Sequence, residues 1–263
     1  MPDWITVVLL GIIEGITEFL PVSSTGHLLM AERWLPRQSD LFNVVIQCGA
    51  VLAVLPLFPE RLRQFVFQWR DKATQSYALK LLFAFVLTGI GGLLWDKLGH
   101  KLPKETGPVV WALLIGGIGF VVIEALLRGR TLKNEVTWTI ALAVGIGQLL
   151  AAIFPGTSRS GATILLCLML GLNRPAATEF SFLAGIPTML AAGGLEIFKA
   201  LHHTAAGAAP EHWSMVLLGA VVAAAVSFVA VKWLLRYVQT HTFTVFGWYR
   251  IALAAVIVAL LWR

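Results

Sequence analysis

The chain has 263 residues, of which 58% are hydrophobic and only 13% are charged, and its mean hydropathy is +0.80. Soluble domains average about 45–50% apolar and about 25% charged residues, so this composition excludes a cytosolic enzyme, a nucleic-acid-binding protein and a disordered scaffold. The net charge of +6 therefore indicates membrane orientation rather than nucleic-acid binding. We predict an all-α polytopic membrane protein with a single integral membrane domain over residues 1–263.

Six apolar runs are long enough, or nearly so, to cross a hydrocarbon core that requires about 20 helical residues. These spans are predicted at 41–58, 77–98, 107–127, 176–198, 213–235 and 245–262. After the first span, the segment ERLRQFVFQWRDKATQ places apolar residues at helical spacing between basic ones. That pattern predicts an interfacial helix on the cytoplasmic leaflet.

Two further apolar stretches are interrupted by a proline and a polar turn. The first covers 4–35 and is broken at Pro21 and the turn VSSTG. The second covers 136–172 and is broken at Pro155 and the turn GTSRSG. A helix broken in this way is typical of a re-entrant hairpin, because irregular backbone is tolerated at membrane depth only beside a protein-enclosed or wet cavity.

The two hairpins resemble each other at an offset of 134 residues. Five of 21 aligned pairs are identical, Ser24 among them with Ser158, and Glu14 falls opposite Gln148. Each half then holds one hairpin and three spans, and an odd number of spans inverts the second half relative to the first. In such inverted repeats the broken helices meet near the membrane midplane. The two halves are predicted at 1–130 and 131–263.

The distribution of basic residues predicts the orientation. With this topology, twelve Lys and Arg residues, including Arg250, lie on one face and seven on the other. The richer face is assigned to the cytoplasm. Both termini and the opening of the first hairpin then lie on the outer side of the membrane.

Glu14 and Glu18 lie one helical turn apart on the first broken helix, so both carboxylates project from one face. Each is costly at membrane depth unless it is paired, and two on one face repel each other. Oxygen ligands and a shared positive charge suit Mg²⁺ or Ca²⁺, so both residues are candidate metal ligands. The alternative is that the two glutamates form ion pairs with basic side chains for packing alone.

The turn after Glu18 brings nucleophile-type and base-type groups within one helical turn of each other. Ser24 could attack phosphorus if a neighbouring base, His27 or a carboxylate, accepted its proton. The alternatives are that the hydroxyls cap the next helix and that His27 is a buried, hydrogen-bonded histidine. The neighbouring candidates for substrate binding are Ser23, Thr25 and Gly26.

The second turn combines glycines, hydroxyls and Arg159 before a helix N-terminus. Backbone N–H groups, the helix dipole and a guanidinium together form an anion site, for which phosphate is the natural ligand. The alternative is that Arg159 only neutralises Glu14 or Glu18. The substrate-binding candidates here are Ser158, Ser160, Gly161 and Thr163.

The motifs EGITEFLPVSSTGH and PGTSRSGAT closely resemble the two signature motifs of the bacitracin-resistance type undecaprenyl-diphosphatases. The resemblance covers nearly the whole chain, including TEFSFLAGIP at 178–187. It implies a bacterial inner-membrane phosphatase that converts undecaprenyl diphosphate to the monophosphate, recycling the lipid carrier for peptidoglycan synthesis and conferring bacitracin resistance. It also implies a divalent cation and a re-entrant inverted repeat. By this resemblance the catalytic candidates are Glu14, Glu18, Ser24 and His27, and the phosphate-binding candidates are Ser158, Arg159 and Thr163.

The sequence leaves several alternatives open. Broken helices in an inverted repeat are also typical of transporters. A second hypothesis is therefore a polyprenyl-phosphate flippase that uses the same anion site. A third hypothesis is a structural assembly subunit. Ser24 or an activated water could be the nucleophile. The expected partners are undecaprenyl diphosphate and membrane lipid, with no nucleic acid. A homodimer is a candidate assembly, although the sequence does not determine the oligomeric state.

Overall fold

The computed structural model describes residues 3–98, 106–202 and 212–261. Within these ranges the chain forms eleven α-helices and no named strand, which confirms the all-α class. The helices are α1 Asp3–Thr17, α2 Ser24–Ala31, α3 Asp40–Val54, α4 Pro59–Phe67, α5 Lys72–Lys97, α6 Thr106–Leu126, α7 Trp138–Ile153, α8 Arg159–Met169, α9 Arg174–His202, α10 Trp213–Tyr237 and α11 Thr244–Leu261.

Five helical segments in the described ranges are apolar and long enough to cross a bilayer, and they coincide with five of the predicted spans. They are α3 with the 3₁₀ turn Leu55–Leu57, α5, α6, α9 and α10. The sixth predicted span corresponds to α11, whose apolar stretch Thr244–Leu260 is shorter. Large apolar side chains such as Leu93 and Val221 are exposed on the outside of the bundle, as expected where lipid replaces water. The protein is a multi-pass membrane protein.

The predicted interfacial segment, residues 60–75, divides into two elements. Its first part forms α4, which has no buried residue and exposes Val66 and Phe67. The helix ends at Phe67, so Trp69 lies in the turn that follows, and the remainder of the segment is the first turn of α5, which begins at Lys72 rather than at 77.

The two broken stretches form the helix pairs α1–α2 and α7–α8. Each second helix begins after a serine with left-handed backbone, Ser23 at φ 75° and Ser158 at φ 66°. The side chain of each accepts a hydrogen bond from the N–H of the glycine three residues later, Gly26 or Gly161. The equivalent serines are therefore Ser23 and Ser158.

The predicted alignment of Ser24 with Ser158 is wrong by one residue. Ser23 follows Pro21 by two positions, whereas Ser158 follows Pro155 by three, so the second turn holds one more residue before its N-cap. The structural counterpart of Ser24 is consequently Arg159, since both are the first residues of their helices.

Each hairpin packs against a long helix of the other half, α1 along α10 and α7 along α5. Glycines permit the first of these approaches: a Cβ added to Gly11 would lie 2.8 Å from Gly219 O, and one added to Gly15 would lie 2.7 Å from Ala223 O. Small residues at helical spacing are typical of close helix packing in membranes. Because the first helix of each pair packs against the other half of the chain, the two turns lie close together. Inversion of the second half stays a prediction.

Candidate active site

Glu18 lies where the two turns meet. Ser24, the first residue of α2, donates its hydroxyl to Glu18 Oε2 at 2.8 Å. Arg159, the first residue of α8, donates from Nη2 to Glu18 Oε1 at 2.9 Å. Only 8% of Glu18 is exposed, and a buried carboxylate is stable only when it is paired and hydrogen-bonded. One carboxylate therefore joins a hydroxyl from the first turn to a guanidinium from the second.

The three residues line a cavity of about 230 Å³. This volume holds several water molecules or a phosphate group. Its wall combines both turns with polar residues from α3, α5, α7 and α9. The other lining residues are Thr25, Gln47, Thr88, Gln148, Ala151, Ala152, Gly156, Ser158, Thr188 and Ala192.

Glu14 lies one helical turn before Glu18, as predicted, and is fully buried. Neither of its carboxylate oxygens makes a well-formed hydrogen bond to the described part of the chain, although Glu18, Gln47 and Arg159 lie nearby. A buried carboxylate without such a bond requires a partner beyond those that the described residues supply. A cation is a suitable partner for it.

The described residues contain no group of three or more His, Cys, Asp or Glu side chains placed to hold a metal ion. A cation beside Glu14 and Glu18 would therefore take its remaining ligands from amide oxygens, substrate phosphate or water. Mg²⁺ is commonly bound in this way, through one or two carboxylates together with substrate phosphates. The donor set fits a divalent cation of this kind.

Of the predicted phosphate-binding residues in the second turn, Arg159 and Ser158 line the cavity, whereas the others support the turn. Ser160 donates its hydroxyl to the carbonyl of Leu20 in the first turn at 3.2 Å. The hydroxyl of Thr163 donates to the carbonyl of Arg159 at 2.8 Å. These bonds hold the start of α8 in place, so their contribution to the cavity is indirect.

In the first turn, too, some residues line the cavity and others stabilise the turn. Thr25 is exposed and lines the cavity. Ser23 caps α2, and its side-chain oxygen is occupied by the N–H of Gly26 at 3.3 Å. The capping alternative therefore describes Ser23, while Ser24 and Thr25 face the cavity.

His27 contacts α11 rather than Ser24. Its Nδ1 lies 2.7 Å from the carbonyl oxygen of Ser23; since a carbonyl only accepts, Nδ1 carries the proton. Its Nε2 then accepts a hydrogen bond from the hydroxyl of Tyr249 at 2.7 Å, and the two rings stack with centroids 5.6 Å apart. In this arrangement Glu18, and not His27, is the group placed to accept the proton of Ser24.

Residues 7–256 match the family described as bacitracin resistance protein BacA. The chain belongs to the BacA family. Among its relatives are proteins named undecaprenyl-diphosphatase from Rhizobium etli strain CIAT 652, 49% identical over 98% of this chain and 97% of the relative, and from Xanthomonas oryzae pv. oryzae strain PXO99A, 48% identical over 100% and 98%. Another protein of that name, from Xanthomonas euvesicatoria pv. vesicatoria, is 47% identical over 100% and 98%.

A second arginine of this BacA-family protein, Arg250 on α11, is fully buried. The sequence predicted it among the cations of the cytoplasmic face. That prediction is wrong, because the side chain is buried against both turns. The guanidinium of Arg250 donates only to backbone carbonyls in the described chain. The acceptors are Pro21 of the first turn, Gly156 and Thr157 of the second turn, and Ala112 and Leu113 of α6.

The physical reason is the backbone of the broken helices. Where a helix ends inside the membrane, its carbonyls have no intrahelical donor and no bulk water, and a buried guanidinium supplies up to five N–H groups. Two glycines make room for it: a Cβ on Gly116 would lie 2.8 Å from Arg250 Cζ, and one on Gly161 would lie 2.8 Å from Nη1. Gly161, a predicted phosphate-binding residue, also makes space for this arginine.

Sequence reasoning about this BacA-family protein missed five polar side chains at or beside the site: Gln47, Thr88, Thr188, Tyr249 and Arg250. An ionisable residue inside a predicted span is a default functional candidate, so Arg250 carried a usable signal. Tyr249 and Thr88 carried none, because single hydroxyl-bearing residues in apolar helices are common and their partners are distant in sequence.

Proposed function

We propose that the protein is an undecaprenyl-diphosphatase of the bacterial inner membrane. It hydrolyses undecaprenyl diphosphate to undecaprenyl phosphate and inorganic phosphate, which recycles the lipid carrier for peptidoglycan synthesis and confers bacitracin resistance. The names of the relatives supply the substrate. The observation that carries the proposal is the shared contact at Glu18, where a hydroxyl and a guanidinium from two turns meet on one carboxylate in a cavity.

Substrate binding uses the cationic and N–H-rich side of the cavity. Arg159 keeps further N–H groups beyond the one it donates to Glu18, and a guanidinium can bind phosphate with two parallel hydrogen bonds. The N-termini of α2 and α8 both lie at the cavity wall. Free backbone N–H groups at a helix N-terminus favour binding of an anion. The terminal phosphate therefore lies between Arg159 and the start of α2, with the site opening to the periplasmic side.

The nucleophile is Ser24 or a water molecule in contact with it. With Ser24, its oxygen attacks the terminal phosphorus while Glu18 accepts the hydroxyl proton, and the bond from that phosphorus to the bridging oxygen breaks, releasing undecaprenyl phosphate. Water then cleaves the phosphoserine to give inorganic phosphate. With water as the nucleophile, one attack replaces both steps. General-base assistance of this kind contributes about 10²–10⁴-fold to the rate.

A divalent cation, Mg²⁺ or Ca²⁺, would be held by Glu14 and Glu18. When bound, it offsets the negative charge that two carboxylates and a diphosphate bring together. The unsatisfied oxygens of Glu14 support this assignment. We expect EDTA to abolish phosphate release and added Mg²⁺ or Ca²⁺ to restore it; release at the full rate in EDTA would contradict the cation site.

The isoprenyl chain has a distinct path beside the second turn. An apolar groove of about 620 Å³ runs between α6 and α8. Thr157 lines this groove, while the adjacent Gly156 and Ser158 line the polar cavity, so the two spaces meet at one turn. A lipid diphosphate would place its phosphates in the cavity and its first isoprene units in the groove.

Filling the groove should weaken binding of long substrates selectively. Ile115 is exposed and lines the groove. We expect Ile115→Trp to raise KM for undecaprenyl diphosphate by about 5- to 10-fold, the loss of one or two buried apolar contacts, and to leave KM for a short-chain diphosphate unchanged. The matched control is Val221→Trp on the outer face of α10. An equal effect on both chain lengths would contradict this path.

Phosphate release in detergent tests hydrolysis against transport. Purified protein in micelles has no second compartment, so a transporter yields no chemical product, whereas a phosphatase releases one phosphate per lipid diphosphate. We expect release and conversion of the lipid to its monophosphate. Folded protein that releases no phosphate with Mg²⁺ or Ca²⁺ present would contradict the phosphatase and favour a flippase.

A further inference from the structure

Gln148 is a buried amide whose polar atoms have no partner among the described residues. It lies on α7, is 2% exposed and lines the cavity. Neither Oε1 nor Nε2 makes a hydrogen bond within the described residues. Leaving a buried donor or acceptor unsatisfied costs about 1–3 kcal/mol, and native structures contain few such groups. A side chain with two of them that lines a cavity can bond a ligand or a water molecule in that cavity.

Thr88 and Glu18, which line the cavity together with Gln148, are hydrogen-bonded to other groups. Thr88 of α5, which lines the same cavity, directs its hydroxyl to the carbonyls of Ala84 at 2.8 Å and Gly145 at 3.2 Å. The carboxylate of Glu18 is held by Ser24 and Arg159. The polar atoms of Gln148 therefore remain available to a molecule in the cavity.

The position of Gln148 in the second half matches that of Glu14 in the first. Before the two prolines the offset of 134 residues holds, and both side chains are buried and unsatisfied. A carboxylate can only accept, so Glu14 suits a cation. An amide also donates two N–H bonds, so Gln148 suits an anionic oxygen. The two halves thus supply complementary groups to one site.

We propose that Gln148 contacts the substrate, its Nε2 donating a hydrogen bond to an anionic oxygen of the diphosphate. This inference rests on the proposed function for the identity of the ligand. A glutamate at this position would place a third carboxylate beside Glu14 and Glu18 and would repel phosphate. The neutral amide keeps the hydrogen-bonding capacity of the site without adding negative charge.

The test is binding of a methylene-bridged, non-hydrolysable analogue of farnesyl diphosphate, measured by calorimetry in detergent. Gln148→Met keeps the shape and removes both polar atoms. We expect it to weaken binding about 10- to 100-fold, as for a lost hydrogen bond to a charged group. The Tm of the ligand-free protein should be unchanged or higher, because an unsatisfied buried amide is gone.

Two further variants keep the inference falsifiable if Gln148→Met does not fold. Gln148→Glu is nearly isosteric, loses the donor and adds charge, so it should bind the analogue more weakly than the wild type and, where both variants fold, more weakly than Gln148→Met. The matched control is Ser227→Ala on α10, another buried side chain without a partner among the described residues, which lies outside the cavity and should leave binding unchanged.

Wild-type affinity in the foldable Gln148 variants would overturn the inference, and so would a lower Tm with unchanged binding, which is the result for a structural role. Wild-type protein that binds the analogue but does not hydrolyse undecaprenyl diphosphate would overturn the proposed function, while the same binding series still decides the role of Gln148. No binding by folded wild-type protein would overturn both.

Discussion

Glu18→Gln is expected to reduce phosphate release by about 10³-fold, within the range for removing a general base, while the protein stays folded. Glutamine has the same shape and can still accept a hydrogen bond from Ser24. It is no base, however, and it carries no charge to orient Arg159. The measurement is kcat for undecaprenyl diphosphate, together with thermal unfolding in the same detergent.

The matched control for Glu18→Gln is Glu196→Gln. Glu196 pairs with Lys199 on the exposed surface of α9, and such pairs contribute at most about 1 kcal/mol, so both kcat and Tm should remain at wild-type values. Turnover of Glu18→Gln close to the wild-type value would show that Glu18 neither accepts the proton nor organises the site.

Arg250→Met is expected to destabilise the protein by about 3–5 kcal/mol, since each buried carbonyl left without a donor costs about 1–3 kcal/mol, and to abolish activity. The guanidinium is the hydrogen-bond donor to carbonyls of both turns, so its removal leaves those carbonyls unsatisfied and the turns unconnected. Arg250→Lys should recover part of the stability, because an ammonium supplies three donors in place of five. The measurements are thermal unfolding and phosphate release.

Arg236→Met on the exposed end of α10 is the control for charge removal; surface substitutions change stability by less than about 0.5 kcal/mol. An Arg250→Met protein that unfolds at the wild-type temperature and keeps wild-type activity would contradict the role assigned to this arginine. If it remains folded but inactive, the turns require Arg250 for their relative position and not for folding.

Much of the fold could be predicted from apolar run length and its interruptions. Pro21 and Pro155 each follow an apolar helix and precede a hydroxyl-rich turn, and this pattern located both helix pairs. The register of the second turn could not be predicted, because an apolar pattern does not specify whether the capping serine follows the proline by two residues or by three. That choice depends on the left-handed conformation of Ser23 and Ser158.

The candidate site was predicted as a set of residue types and not as a set of contacts. The chemistry of Glu18, Ser24 and Arg159 follows from their motifs, but the partner of Ser24 depends on how α2 is rotated. That rotation turns His27 towards Tyr249, which is 222 residues away in the sequence. The sequence assigned Arg250 to the wrong place because a count of charges by predicted topology takes no account of unsatisfied backbone carbonyls. Such carbonyls arise here because the helices are broken.

The central claim is that the two turns form one phosphohydrolase site through Glu18. Its most direct test is phosphate release from undecaprenyl diphosphate by purified wild-type protein, Ser24→Ala, Arg159→Met and the double variant. We predict release by the wild type and a double variant little worse than the poorer single variant, since residues that act as a unit are strongly non-additive. No release by folded wild-type protein, or losses that multiply in the double variant, would contradict the claim.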